Sequence, residues 1–126
     1  MFSLSDRNIL VTGAGSGIGK ATALMLGQQD AAIIVVDKNQ ETAHQTVEEL
    51  RGIRVRAAAV VADISDSDAV DQMYTDTMEN FETLDGIVHC AGIGVERTIM
   101  ETTLEEWNRI IAVNLTGTFL CAQGAA

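Results

Sequence analysis

The chain has 126 residues, 47% of them hydrophobic, with 18 acidic against 8 basic side chains and a formal net charge of −10. That length suits one domain with a core of its own, and the apolar content excludes a disordered chain. The charge excludes nucleic acid and anionic membranes as partners, because both would repel it. From Asp63 onward, twelve acidic residues face only Arg97 and Arg109, a lopsided run that reads as a solvated face. Cys90 and Cys121 are too few for a disulfide framework, and with His44 and His89 they form no metal-ligand cluster. Met1 to Arg7 lacks the basic region and apolar stretch of a secretory signal, and no apolar run approaches the ~20 residues of a membrane span. The expectation is a soluble, reduced, cytoplasmic protein without a metal.

Taken in order, the apolar run Asn8 to Val11 predicts a first strand, followed by the glycine-rich stretch Thr12 to Gly19. Ile18, Ala21, Met25 and Leu26 recur at helical spacing and predict the apolar side of a first helix. Ala32 to Val36 predicts a second strand, and Ala43, Val47 and Leu50 share one face of the helix after it. Val55 to Val61 predicts a third strand. Ser65 with Asp68 resembles a helix start, and Val70, Met73, Tyr74, Met78 and Phe81 share a face of the third helix. Gly86 to Cys90 predicts a fourth strand, with His89 inside it as a satisfied core histidine. Thr103 with Glu106 forms a capping box that opens a fourth helix, whose apolar stripe is Leu104, Trp107 and Ile111. Trp107 reads as core or as an interface anchor.

Short, nearly continuous apolar runs suit strands covered on both faces, and their alternation with helices is the signature of βαβ units. Right-handed crossovers then predict an α/β, Rossmann-type, doubly wound parallel sheet with strand order 3-2-1-4. Strand four is left as an edge, and Trp107, Ile111, Leu115 and Phe119 are left partly uncovered, so the chain is expected to self-associate or to be stable only beside a complementary half.

A strand, a glycine turn and a helix start, in that order, suit a diphosphate. Glycines permit the tight turn and let backbone N–H groups approach the ligand, and the helix N-terminus adds partial positive charge. Eighteen residues past Gly19, the second run ends in Asp37, placed to take both hydroxyls of an adenosine ribose. Together these point to a dinucleotide, NAD ahead of NADP. Ser16 is neutral and the ribose acid is present, which favours NAD, while Lys38 beside Asp37 could reach a 2′-phosphate. A purely structural strand-to-helix turn is the alternative.

The usual fingerprint, G-x-G-x-x-G, started from Gly13 would need glycine at position 18, where Ile18 stands. The pattern present, T-G-x-x-x-G-I-G, resembles the short-chain dehydrogenase/reductase family, and later residues repeat the resemblance in order. Asp63, with Ile64 after it, matches the family's adenine-contacting aspartate, although it could also assist the start of the third helix. Cys90-Ala91-Gly92 stands where the family has Asn-Ala-Gly. Cys90 then reads as a small buried apolar residue, and Gly92 as a close pass by the nicotinamide ribose. Asn114 matches the helix asparagine whose backbone carbonyl, in a kinked helix, holds a water linked to the catalytic lysine.

The resemblance implies an NAD(P)-binding Rossmann domain over residues 1–126, with Gly13, Ser16, Gly17, Ile18, Gly19, Asp37, Asp63, Ile64, Cys90, Ala91 and Gly92 at the cofactor. It implies an oxidoreductase that moves hydride between a nicotinamide cofactor and a small alcohol or carbonyl substrate, with Asn114 as the one catalytic-site residue present. The family's Ser and Tyr-x-x-x-Lys belong to a second half. Here the sole tyrosine is Tyr74, followed four residues later by Met78, and the only lysines are Lys20 and Lys38. The catalytic second half is therefore expected to be absent and the chain inactive alone. A nucleotide-binding module or remnant without chemistry is the rival reading, and a methyltransferase with a similar glycine loop is a weaker one. Related enzymes pair through their fourth and fifth helices, which implies a homo-oligomer.

Overall fold

A computed structural model describes residues 2–126. The elements in chain order are β1 (Asn8–Thr12), α1 (Gly17–Gln28), β2 (Ala32–Asp37), α2 (Gln40–Gly52), β3 (Ala57–Val61), α3 (Ser67–Asn80), β4 (Gly86–His89), α4 (Leu104–Ile111) and α5 (Thr118–Ala125). A π-helical stretch, Ala112–Gly117, joins α4 to α5 without a break. All four strands are parallel in the order β3-β2-β1-β4, as expected. In register, Leu10 of β1 stands between Ile34 of β2 and Ile87 of β4.

The two central strands explain their own composition. Leu10, Val11 and Ile33 through Val36 are completely buried, because helices cover both faces. Ile9, Val11, Ile33 and Val35 meet Ala23 of α1 and Ala43, Val47 and Leu50 of α2 on one face. Leu10, Ile34, Val36 and Val60 meet Val70 and Met73 of α3 and Cys121 of α5 on the other.

Several expectations need correction. The first helix turns Gly19, Ala23 and Gly27 inward, while Ile18 and Met25 are 80% and 66% exposed, Ala21 is exposed and Leu26 is half-buried. Small residues win that face because α1 lies close against the turn and α2, and the larger side chains are pushed out. In α3, Thr77 is buried where Met78 was expected, and its hydroxyl is satisfied by the Met73 carbonyl at 2.8 Å. Phe81 is buried but lies just past the helix end. The α3 cap is Asp66, whose carboxylate accepts from the Asp68 and Ala69 amides, not Ser65. Ser65 is drawn instead to Asp63. β3 begins at Ala57 rather than Val55, and β4 ends at His89, leaving Cys90 just outside it. His89 is exposed, not core, because β4 is paired on one side only. The Thr103–Glu106 capping box forms as expected, but no α4 residue is buried and Trp107 is 56% exposed, which removes its core reading.

Tyr74 ties α3 to α5. Its hydroxyl donates to the Cys121 carbonyl, and its ring packs against Gly124. Burial pushes the Tyr74 hydroxyl up to about 12 and the Cys121 thiol up to about 11. Both helices on the other face end in left-handed residues where glycine is usual, Asp30 (φ 74°) after α1 and Arg54 (φ 66°) after α2. The Val55 amide closes the second of these ends on the Leu50 carbonyl at 3.0 Å.

Two outcomes are expected. Arg54→Gly removes the steric cost of the left-handed conformation, offset in part by glycine's extra unfolded-state freedom, for a net stabilisation of about 0.5 kcal/mol. Urea unfolding reads it as a higher midpoint at constant slope; an unchanged or lower midpoint contradicts it. The second concerns alkaline pH. Tyr74 and Cys121 are favoured neutral in the fold, so their contribution is full below the ordinary values of 10.0 and 9.0 and is lost as pH rises toward about 12 and about 11. Ultraviolet titration of the sole tyrosine is expected to show a midpoint well above 10 in folded protein and an ordinary one in urea.

Candidate functional site

The C-terminal ends of the four strands open into one cleft of about 360 Å³ at the point where the strand order reverses between β1 and β4. Its walls are the turn after β1, the end of β2, the loop after β3 and the loop after β4. Gly13, Ser16, Gly17, Ile18, Gly19, Asp37, Asp63, Ile64, Cys90, Ala91 and Gly92 all line it. Lys38, read in the sequence as able to reach a 2′-phosphate, lines it too, and sequence reasoning missed Val36, Ala62, Ile93 and Val113, which line it as well.

The turn after β1 begins at Gly13, whose φ of +65° is left-handed and whose Cβ would stand 2.7 Å from the Ala91 backbone. No other residue fits both conditions. Gly17, the first residue of α1, has φ +54° with open space where a side chain would be. The end of β2 holds the turn: the Ala14 amide donates to the Val36 carbonyl at 3.0 Å, and the Gly15 amide donates to Asp37 Oδ2 at 2.9 Å. Thr12 is buried, and its hydroxyl oxygen accepts the Cys90 and Ala91 amides, each at 3.2 Å, which fixes the loop after β4 to the end of β1.

Four helices open from a loop, and α1 differs from the other three. Asn39 caps α2, Asp66 caps α3 and Thr103 caps α4, each with a side-chain oxygen on a backbone amide. Among the described residues, Ser16 makes no such bond to α1. The first-turn amides of α1, which no intrahelical carbonyl can satisfy, thus have no side-chain cap where Ser16, Gly17, Ile18 and Gly19 line the cleft. They carry the positive end of the helix dipole, and no acidic residue lies in that first turn.

Asp37 is half-buried and its carboxylate is pre-positioned, Oδ1 accepting from the Asn39 amide at 3.0 Å and Oδ2 from Gly15. Lys38 beside it is exposed. Asp63 is exposed across the cleft; the Ser65 hydroxyl at 2.7 Å and the Ser65 amide hold its carboxyl below the usual carboxylate range, helped by the Lys38 and Arg109 charges. Its bonds order the loop after β3 and leave the capping of α3 to Asp66. Cys90 is half-buried, with its amide engaged by Thr12.

Asn114 lies in the π-helical stretch and grips the loop after β4 from both sides. Its Oδ1 accepts the Ile93 amide and its Nδ2 donates to the Ile93 carbonyl, both at 2.8 Å. It sets the position of a lining residue without lining the cleft itself. Its own carbonyl accepts the Thr118 hydroxyl at 2.8 Å. Thr46 of α2 was also invisible in the sequence, because its hydroxyl bonds the Ala14 carbonyl 32 residues away.

The short chain dehydrogenase family model matches residues 7–126. A 3-oxoacyl-acyl-carrier-protein reductase of Synechocystis is 37% identical over all of this chain and 51% of its own length. Glucose 1-dehydrogenase 2 of Bacillus subtilis is 36% identical over 97% of this chain and 48% of its own. The crystal structure of a dehydrogenase/reductase from Sinorhizobium meliloti superposes with a TM-score of 0.93 at 34% identity, covering 98% of this chain and 49% of that one. The chain thus spans about half the length of the curated relatives it matches. With the family model covering the sheet, the turn and the cleft alike, this chain belongs to the short-chain dehydrogenase family.

Proposed function

We propose that this chain is the dinucleotide-binding portion of an oxidoreductase and that it prefers NAD to NADP. The observation that carries the reading is the uncapped N-terminus of α1 facing the cleft, beside a turn whose glycines keep side chains out of it. Those amides suit the diphosphate, Asp37 the adenosine ribose hydroxyls, and Asp63 with Ile64 the adenine. Gly92, Ile93 and Val113 line the end of the cleft that takes the nicotinamide side. Bound there, the nicotinamide supplies hydride exchange with an alcohol or carbonyl carbon. Asp37 supports NAD because a 2′-phosphate would bring negative charge against a carboxylate already fixed by two amides.

Among the described residues, neither Tyr74 nor Lys20 is free to exchange a proton with such a substrate. The sole tyrosine, Tyr74, is spent on the Cys121 carbonyl, and Lys20 pairs with Glu49 at 2.7 Å. This favours binding without turnover for the chain by itself. The relatives' names, a reductase of acyl-carrier-protein substrates and a glucose dehydrogenase, differ in substrate, so only the alcohol or carbonyl class is proposed. Free Cys90 and Cys121 suit a reducing, cytoplasmic setting. The one-sided β4 edge, together with exposed Leu104, Trp107, Leu115 and Phe119, suits self-association.

Calorimetry with NAD and NADP tests the reading. NAD is expected to bind about tenfold more tightly, the size of one hydrogen bond to a charged group, and Asp37→Ala to erase most of the difference. Equal affinities in the unsubstituted chain contradict the role of Asp37. Binding of neither by a folded sample contradicts the cofactor site.

A further inference from the structure

Thr46 is completely buried on α2, and its hydroxyl donates to the Ala14 carbonyl at 3.0 Å, with a longer approach of 3.2 Å to the Thr42 carbonyl of its own helix. The Ala14 carbonyl and the Gly15 amide are the two ends of one peptide unit. That unit is therefore gripped from both sides, its N–H by Asp37 Oδ2 and its C=O by Thr46. Valine has nearly the shape of threonine and a similar helix propensity, so propensity does not account for the hydroxyl, whose partner does. The hydroxyl also satisfies an acceptor belonging to a fully buried residue.

We infer that Thr46 is a positioning residue for the diphosphate turn, holding the Ala14–Gly15 peptide so that the next amides, at Ser16 and Gly17, point into the cleft. The inference rests on the cofactor reading above. Without the hydroxyl, the Ala14 carbonyl is stranded in apolar surroundings and gains by rotating toward water in the cleft. Rotation of that peptide withdraws the Gly15 amide from Asp37 and swings the following amides away from the ligand. Asp37 alone cannot prevent this, because a ribose competes for the same carboxylate. The ribose and diphosphate subsites are joined through this one peptide, and α2 supplies the half of the grip that no ligand contests.

The test compares ADP-ribose, which carries the diphosphate, with adenosine, which does not, on the unsubstituted chain, T46V and T46S, using NMR-monitored titration. T46V is expected to bind ADP-ribose about fivefold more weakly with adenosine not weakened, and T46S to restore the original affinity. A role in packing alone would lower the melting temperature and leave that ratio where it was. An unchanged ratio in T46V, or equal loss for both ligands, overturns the inference while the cofactor reading stands. Binding of neither ligand by the folded unsubstituted chain overturns both. If T46V does not fold, T46A removes the hydroxyl without adding a methyl group and is read in the same way.

Discussion

The chain leaves β1 at Thr12 and must enter α1 at Gly17, with the first turn of that helix facing the strand ends. That reversal is possible only with a left-handed residue at position 13, pressed against the Ala91 backbone. Once made, it sets the first turn of α1 at the cleft with no side chain to cap its amides. An uncapped helix start lacks a contribution of about 1 kcal/mol that Asn39, Asp66 and Thr103 give the other helices. The fold holds a polar, positively polarised surface in reserve there, and the remaining features of the cleft follow from where it lies.

Each wall is fixed to that turn by a different device. Asp37 reaches it from β2, Thr46 from α2, and the Thr12 hydroxyl ties in the loop after β4. Asn114 fixes the far side of the same loop through both polar groups of Ile93. Asn114 makes these bonds from the π-helical stretch between α4 and α5. Side chains whose roles look unrelated in sequence act on a single loop system. These bonds hold the loops around the cleft, whereas at α4 Leu104 and Trp107 are exposed.

Much of this was legible in the residues. Uninterrupted apolar runs marked strands covered on two faces, and their alternation with helices fixed the strand order. The glycine pattern picked out the turn, a short-range consequence of backbone geometry, but not its bond to Asp37, which lies 22 residues further on. Contacts set by packing depth were not legible. Ile18 and Met25 keep a helical spacing but face outward, since the inner side of α1 has room only for Gly19, Ala23 and Gly27. His89 has a strand pattern around it, yet a one-sided edge leaves it exposed. Thr46 reads as an ordinary polar helix residue until its partner 32 positions earlier is seen.

Whether the uncapped start of α1 binds a dinucleotide decides what the cleft is for. Backbone amide shifts of the labelled chain, followed as NAD is added, test it most directly. Saturable shifts are expected at Ser16, Gly17, Ile18, Asp37 and Ile64, with none at Arg54 and Arg56 at the other end of the sheet. Saturable shifts confined to that other end, or none anywhere in a folded sample, would contradict it.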